Sequence, residues 1–507
     1  MTWNILLKLI SILLNFLLGP PIHPPIKNLQ QVSNDNLYFE SMTRGGVITG
    51  NAGVGKTTYE AMQIVDYAKK YPDRSIFIYD ASGSLTNEIV ELAYLEPPEI
   101  RDMLIRRFVL DIPGDEHYVV PQPFFSPEYG LTDEELIQRA VTILKELNRE
   151  KVELTPIMAI ALTELAPELF RLINVIRNDY GERWQVTEAR KLLIDLGQLQ
   201  IACNKFGQYA KGAKFYLDNE ILGEVAPTEK QRRTLALRNA LGVIETRPLL
   251  ARYGAYRPTI TPKEIIDNGL IYILSGEKLT NLEDAQAWVF WDAYSALESV
   301  INKRVPHDPN DKPVLLTIDE VYKLFEIKGM AKKLGQISTY YRSRKLMPII
   351  IIQAYWQLSD ILKEQIWSFG NQITFALDNF NDAYKFAQQV QEYDPTKEKL
   401  SAKRDDGQPI IESDRGQYLA MTNWLQRLEK RQIVMRRYID EGKREPFISF
   451  VEKTKEKPTG TLPAPIHYLK QELFRKYAVS VSDILKDVNG RELVAQPKSR
   501  PRFSKKV

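Results

Sequence analysis

Two hydrophobic rhythms alternate along the chain. Short apolar, β-branched runs bounded by glycine, proline or polar turns predict buried strands, and longer stretches with apolar positions every three to four residues predict helices. The first run is Gly46-Val47-Ile48-Thr49. The second, Arg74-Ser75-Ile76-Phe77-Ile78-Tyr79-Asp80, is followed by a Ser82-Gly83-Ser84 turn and an amphipathic helix from about Leu85. Residues 107 to 112 give a further strand. From about Thr132 to Leu241 the strand signal vanishes and only helical spacing remains, which predicts an all-α insertion over 126–264. Strands resume at Gly269 to Leu274, at Pro313 to Glu320, at Pro348 to Ile352 and at Gln372 to Ala376, and a closing pair is expected near Gln417 to Thr422 and Gln432 to Met435. Strands alternating with helices in 41–125 and 265–450 predict an α/β fold with a doubly wound, mostly parallel sheet, and 451–507 a C-terminal extension.

The first nineteen residues are strongly apolar, yet Asn4, Lys8, Ser11 and Asn15 are spaced by four, three and four and share one helical face. The apolar core falls short of the roughly twenty residues that span a bilayer. Residues 1–18 are therefore expected to form an amphipathic anchor, lying on a membrane surface or packing its polar stripe on a partner. The proline-rich segment within 19–40, Gly19-Pro20-Pro21-Ile22-His23-Pro24-Pro25, reads as a stiff spacer.

Candidate chemistry sits at the predicted strand ends. Gly50-Asn51-Ala52-Gly53-Val54-Gly55-Lys56-Thr57 is a complete GxxxxGK[ST] phosphate loop after an apolar strand, with Thr58 continuing into a helix. Its glycines let backbone N–H groups face an anion, and the helix start adds its positive dipole end. Lys56 is expected to reach the β- and γ-phosphates of ATP, and Thr57 to hold Mg²⁺. Hydrolysis also needs carboxylates, and Pro313 to Glu320 is an apolar run ending in Asp319-Glu320. Asp319 is the candidate Mg²⁺ ligand, and Glu320 the candidate for orienting or deprotonating the attacking water. Gln353, at the end of an isoleucine strand, is a candidate contact to the γ-phosphate or water, because a polar group is costly to bury without a partner there.

Composition narrows the frame. One cysteine, Cys203, excludes an intrachain disulfide framework and suits a reducing compartment, and a net charge of +3 predicts no blanket affinity for nucleic acid. Local clusters must supply it. Residues 323–345 carry Lys323, Lys328, Lys332, Lys333, Arg342, Arg344 and Lys345 against Glu326 alone, a stretch fit to bind phosphate without reading sequence. Tyr340 and Tyr341 there either stack on bases or belong to the core. Arg342 and Arg344 either offset a helix dipole, or one of them acts as an arginine finger on a neighbouring subunit's γ-phosphate. The basic tail from Lys498 to Lys506 is a solvated end or a partner contact.

With Gly50 to Thr57, the Asp80-to-Leu85 turn, Ile318-Asp319-Glu320, Arg344-Lys345, Gln353, Gln357-Leu358 and Asn371 to Phe375, the chain resembles the HerA/FtsK superfamily of ring-forming DNA translocases, and within it the coupling proteins of conjugation and type IV secretion. The resemblance implies a RecA-like P-loop ATPase domain working as a homo-oligomer, a hexamer with a central DNA channel. Partners would be non-specifically bound DNA and relaxase or secretion-channel proteins, and the location cytoplasmic, at the inner face of the membrane. Coupling proteins usually begin with two spanning helices, and this chain offers one short amphipathic helix. The resemblance implies an ATP-driven DNA translocase of a mobile element, acting in conjugative transfer or packaging; the alternatives are a secretion motor that moves protein, and a nucleotide-gated scaffold that recruits a DNA-processing partner.

Overall fold

The computed structural model describes residues 45–148, 152–153, 155–180, 183–224, 226–320, 337, 341–358, 360–367, 369–390, 398–403, 409–411, 413–438 and 447–491. The anchor and spacer of 1–40, the basic stretch within 323–340 and the tail from 492 lie outside the described residues. Among the described residues no helix is long and apolar enough to cross a membrane.

In chain order the strands are β1 Gly46–Thr49, β2 Ile76–Asp80, β3 Phe108–Asp111, β4 Tyr118–Val119, β5 Ile271–Ser275, β6 Val314–Asp319, β7 Leu346–Ile352, β8 Asn371–Thr374, β9 Glu398–Lys403, β10 Pro409–Ile411, β11 Gln432–Tyr438, β12 Phe447–Lys453 and β13 Val479–Ser480. The chain divides into two compact units. One takes the described residues within 45–59, 351–358 and 369–456, and the other those within 60–350, 360–367 and 457–491. The division falls inside the helix Lys56–Lys70 and inside β7.

The larger unit holds parallel strands in the order β7-β6-β2-β5-β3. Every residue of these five strands is buried, which is why they read as unbroken apolar runs rather than alternating ones. The register sets Asp80 opposite both Asp319 and Ser275, so three polar residues end their strands at one edge. Packed behind is Glu283–Asn302, whose Trp288, Phe290, Trp291 and Tyr294 are buried. Phe290 lies 4.4 Å from Tyr79, centroid to centroid.

Between β4 and β5 the described residues carry helices and no strand, as the helical spacing predicts. Asp133–Leu147 opens on a reciprocal Thr132/Glu135 capping box. The insertion is tied down by two buried ion pairs. Arg252 meets Asp111 at 2.8 Å with both side chains fully buried, and Tyr272 also donates to Asp111, at 2.6 Å. Arg139 pairs with Asp292. The C-terminal residues return to this unit, where β13 pairs with β4 and Val481, Ile484 and Val488 pack on Val119, Ala251 and Ala255.

The smaller unit orders its strands β12-β11-β8-β1. β1 and β8 are parallel, while β11 runs antiparallel to both β8 and β12. The expected strand at Gln417 to Thr422 is instead part of the helix Asp414–Leu425, capped by Ser413. Gln417, Met421 and Leu425, four residues apart, are all fully buried, and that 3.6-residue stripe outweighs the local β propensity of Tyr418 and Thr422.

Candidate nucleotide site

In the smaller unit the buried strand β1 delivers the chain into the phosphate loop. Gly50 has φ +150°, and a Cβ there would lie 2.6 Å from the Phe375 Cβ, so the loop turns against β8 only with glycine in that place. Gly53 and Gly55 also have positive φ. The loop is tied to the following chain: the Asn51 N–H donates to the Ala376 carbonyl at 3.0 Å, and the Asp378 N–H donates to Asn51 Oδ1 at 3.1 Å. Helix bonding starts as the Tyr59 N–H donates to the Gly55 carbonyl at 2.9 Å.

The buried Lys56 ammonium folds over this loop and donates to the carbonyls of Gly50 and Asn51, the latter at 2.6 Å. Thr57 and Thr58 are half-buried, while Ala52 and Gly53 are exposed at the turn. The first turn of Lys56–Lys70 holds no carboxylate, so nothing within it offsets the positive end of the dipole. Glycines at positive φ, an ammonium folded over the loop and a first helical turn without acids are an arrangement that can take an anion. Gln353 follows the last residue of β7 in this same unit and is half-buried.

In the larger unit Asp319 ends β6 and is 4 % exposed. Glu320 follows in the left-handed region, φ +53°, and its N–H donates to Asp319 Oδ1 at 2.9 Å. A non-glycine residue held there is strained, and such strain collects at functional positions. Asp80, opposite Asp319 in register, organises a turn. Asp80 Oδ1 accepts from the N–H groups of Ser82 and Gly83 at 3.2 and 2.8 Å, and Oδ2 from the Thr86 N–H and hydroxyl, both at 2.7 Å. Gly83 completes that turn with φ +83°. The sequence shows the Asp80-to-Leu85 turn but not that the Asp80 carboxylate builds it.

Sequence reasoning also missed Glu60, a fully buried acid on the helix that starts at Lys56. Glu60 accepts a hydrogen bond from the Thr317 hydroxyl of β6 at 3.3 Å, two residues before Asp319. The signal was present as a lone acid on an otherwise apolar helix face.

Arg342 and Arg344 lie on a 3₁₀ turn, Tyr341–Arg344, that leads into β7. The Val314 N–H donates to the Lys345 carbonyl and Arg304 to the Arg344 carbonyl, so this turn sits where β6 begins. Asp319 is five residues further along β6, roughly 16 Å at the usual rise. The described chain places this turn at the end of β6 opposite Asp319 and Glu320. Tyr341 is buried and its hydroxyl donates to Glu298, so it belongs to the core.

No protein-family model matches the sequence, and no curated protein does. Among solved structures, the chain is similar to the bacterial conjugative coupling protein TrwBdeltaN70 in an unbound form, at 12 % identity and TM-score 0.51 over 87 % of this chain and 92 % of that one. It is similar also to the plasmid coupling protein TrwB in complex with the GTP analogue GDPNP, at 14 % identity and TM-score 0.51 over 87 % and 93 %. A third is TrwB in complex with ADP and Mg²⁺, at 14 % identity and TM-score 0.50 over 87 % and 92 %. The likeness shows the fold, an α/β, mostly parallel, RecA-like P-loop fold with a helical insertion, as the HerA/FtsK-type resemblance implies.

Proposed function

We propose that the chain is an ATP-driven motor of conjugative transfer that hydrolyses ATP to move DNA. The observation that carries this is the phosphate loop: a buried strand, glycines at positive φ, a lysine held over the loop and a helix start without acids. Its occurrence on the fold shared with TrwB, whose structures include complexes with ADP and Mg²⁺ and with a GTP analogue, supports the assignment.

The roles follow from the chemistry of each residue. The loop amides after Asn51, through Thr58, bind the phosphates, and Lys56 exchanges its loop carbonyls for charged phosphate oxygens. The Thr57 hydroxyl and the Asp319 carboxylate are the hard oxygen donors that Mg²⁺ takes. Bound there, Mg²⁺ would neutralise charge that develops on the transferred phosphoryl group. Glu320 accepts the proton of the attacking water, and Gln353 orients that water or contacts the γ-phosphate. Arg342 or Arg344, standing at the opposite end of β6 from Asp319, serves the site of a neighbouring copy in a homo-oligomer, a hexamer by the coupling-protein pattern.

DNA is the proposed cargo, bound through phosphates by the basic stretch that follows Glu320, and relaxase or secretion-channel proteins are the proposed partners. Residues 1–18 would hold the motor at the inner face of the membrane. ATP-driven displacement of streptavidin from a biotin-ended oligonucleotide, single- or double-stranded, tests the motor. Displacement is expected with the wild type and not with Lys56→Ala. ATP hydrolysis with no displacement on either substrate would point instead to a protein cargo.

A further inference from the structure

The smaller unit brings a second cation to the phosphate loop, from a turn that is distant in sequence. β11 runs antiparallel to β8, with Val434 opposite Thr374, and β8 runs parallel to β1, with Thr374 opposite Thr49. The start of β11 therefore lies at the edge where β1 releases the loop. The residue before β11 is Arg431. Its stem passes over the loop: a Cβ on Gly55 would stand 3.8 Å from Arg431 Cγ.

The backbone of Arg431 is in the left-handed region, φ +67°, where glycine or asparagine is the cheaper residue. The turn is held on both sides, since the Gln432 N–H donates to the Glu429 carbonyl at 2.9 Å and the Thr454 N–H to the Arg431 carbonyl at 2.8 Å. Backbone strain of this kind clusters at active sites and ligand clamps. The guanidinium meets Glu456 at 2.6 Å, but the Glu456 side chain is 81 % exposed, and an ion pair so wetted holds the guanidinium weakly.

We infer that Arg431 is a phosphate-binding residue of the nucleotide site, acting in cis beside Lys56. The inference rests on the reading of the loop as a nucleotide site. Arginine suits the task because its planar fork bonds two phosphate oxygens at once and stays charged at any working pH. Arg431 would swing from exposed Glu456 to the polyphosphate, closing the loop from the side of Gly55.

Arg431→Gly separates this role from a structural one, since glycine fits the left-handed backbone while the cation is lost. Binding is measured by titration with a fluorescent ATP analogue and by competition with inorganic tripolyphosphate, alongside the unfolding temperature. Arg431→Gly is expected to unfold at the wild-type temperature or above it. It should bind both the analogue and tripolyphosphate about ten- to a hundredfold more weakly, the usual value of a charge-assisted hydrogen bond. Unchanged affinity in Arg431→Gly, with normal binding by the wild type, overturns the role of Arg431 and leaves the nucleotide site standing. Loss for the ATP analogue without loss for tripolyphosphate also overturns it, because the guanidinium would then be serving base or ribose. A wild type that binds neither ligand overturns the nucleotide site itself.

Discussion

Glu320 pays in backbone strain for its position one residue beyond a buried strand. Glu320→Gly relieves that strain and is expected to raise the unfolding temperature while cutting hydrolysis by about a hundredfold or more, the usual share of a general base. Differential scanning fluorimetry beside a phosphate-release assay reads both, and a variant that is more stable and fully active would remove Glu320 from the chemistry. Lys56→Ala should abolish nucleotide binding, whereas Glu320→Gln should retain ATP without turning it over; co-elution of unhydrolysed ATP through a desalting column checks this. At this scale the phosphate loop and the Asp319-Glu320 pair were legible because motif and strand end coincide in the sequence. The turn-building role of Asp80 and the Glu60–Thr317 hydrogen bond were not, since each depends on strand register or on helix packing that no local pattern carries.

β1, β2, β6 and β7 were legible as apolar runs, because strands buried on both faces leave little else to read. The misread segment, Gln417 to Thr422, shows the opposite case: a short stretch with mixed propensity whose helical stripe is completed by Leu425, beyond the window that suggested a strand. The buried pair Arg252–Asp111 was invisible, its members lying in separate elements 141 residues apart. Removing one partner strands the other charge without water, so Arg252→Ala is expected to cost about 3–5 kcal/mol, while Asp111→Leu with Arg252→Met and Tyr272→Phe, which also removes the hydroxyl that donates to Asp111, should recover most of it. Urea denaturation followed by circular dichroism would show this, and equal losses in the single and triple variants would contradict it. Cys203 offers a probe of the insertion, because burial pushes its thiol up to about 12. Even at pH 9 it should resist iodoacetamide until the helix Leu196–Phe206 unfolds, and rapid alkylation of the native protein would contradict that packing.

For the whole molecule, Arg342 or Arg344, at the end of β6 opposite Asp319, is proposed to serve the site of a neighbouring copy. Arg342→Ala or Arg344→Ala should bind ATP yet lose turnover, and mixing the active-site variant Lys56→Ala with the inactive arginine variant should restore part of it, because each chain supplies what the other lacks at a mixed interface. Specific activity that stays constant on dilution, with no rescue on mixing, would place a complete site within one chain. A DNA motor couples hydrolysis to DNA, and the rate of phosphate release by the purified wild type with and without single- and double-stranded DNA measures that coupling. The expected result is a basal rate that rises severalfold with DNA, falls again with salt as phosphate contacts are screened, and vanishes in Lys56→Ala. A rate that DNA leaves unchanged at low salt, in a protein that hydrolyses ATP, would contradict a DNA motor.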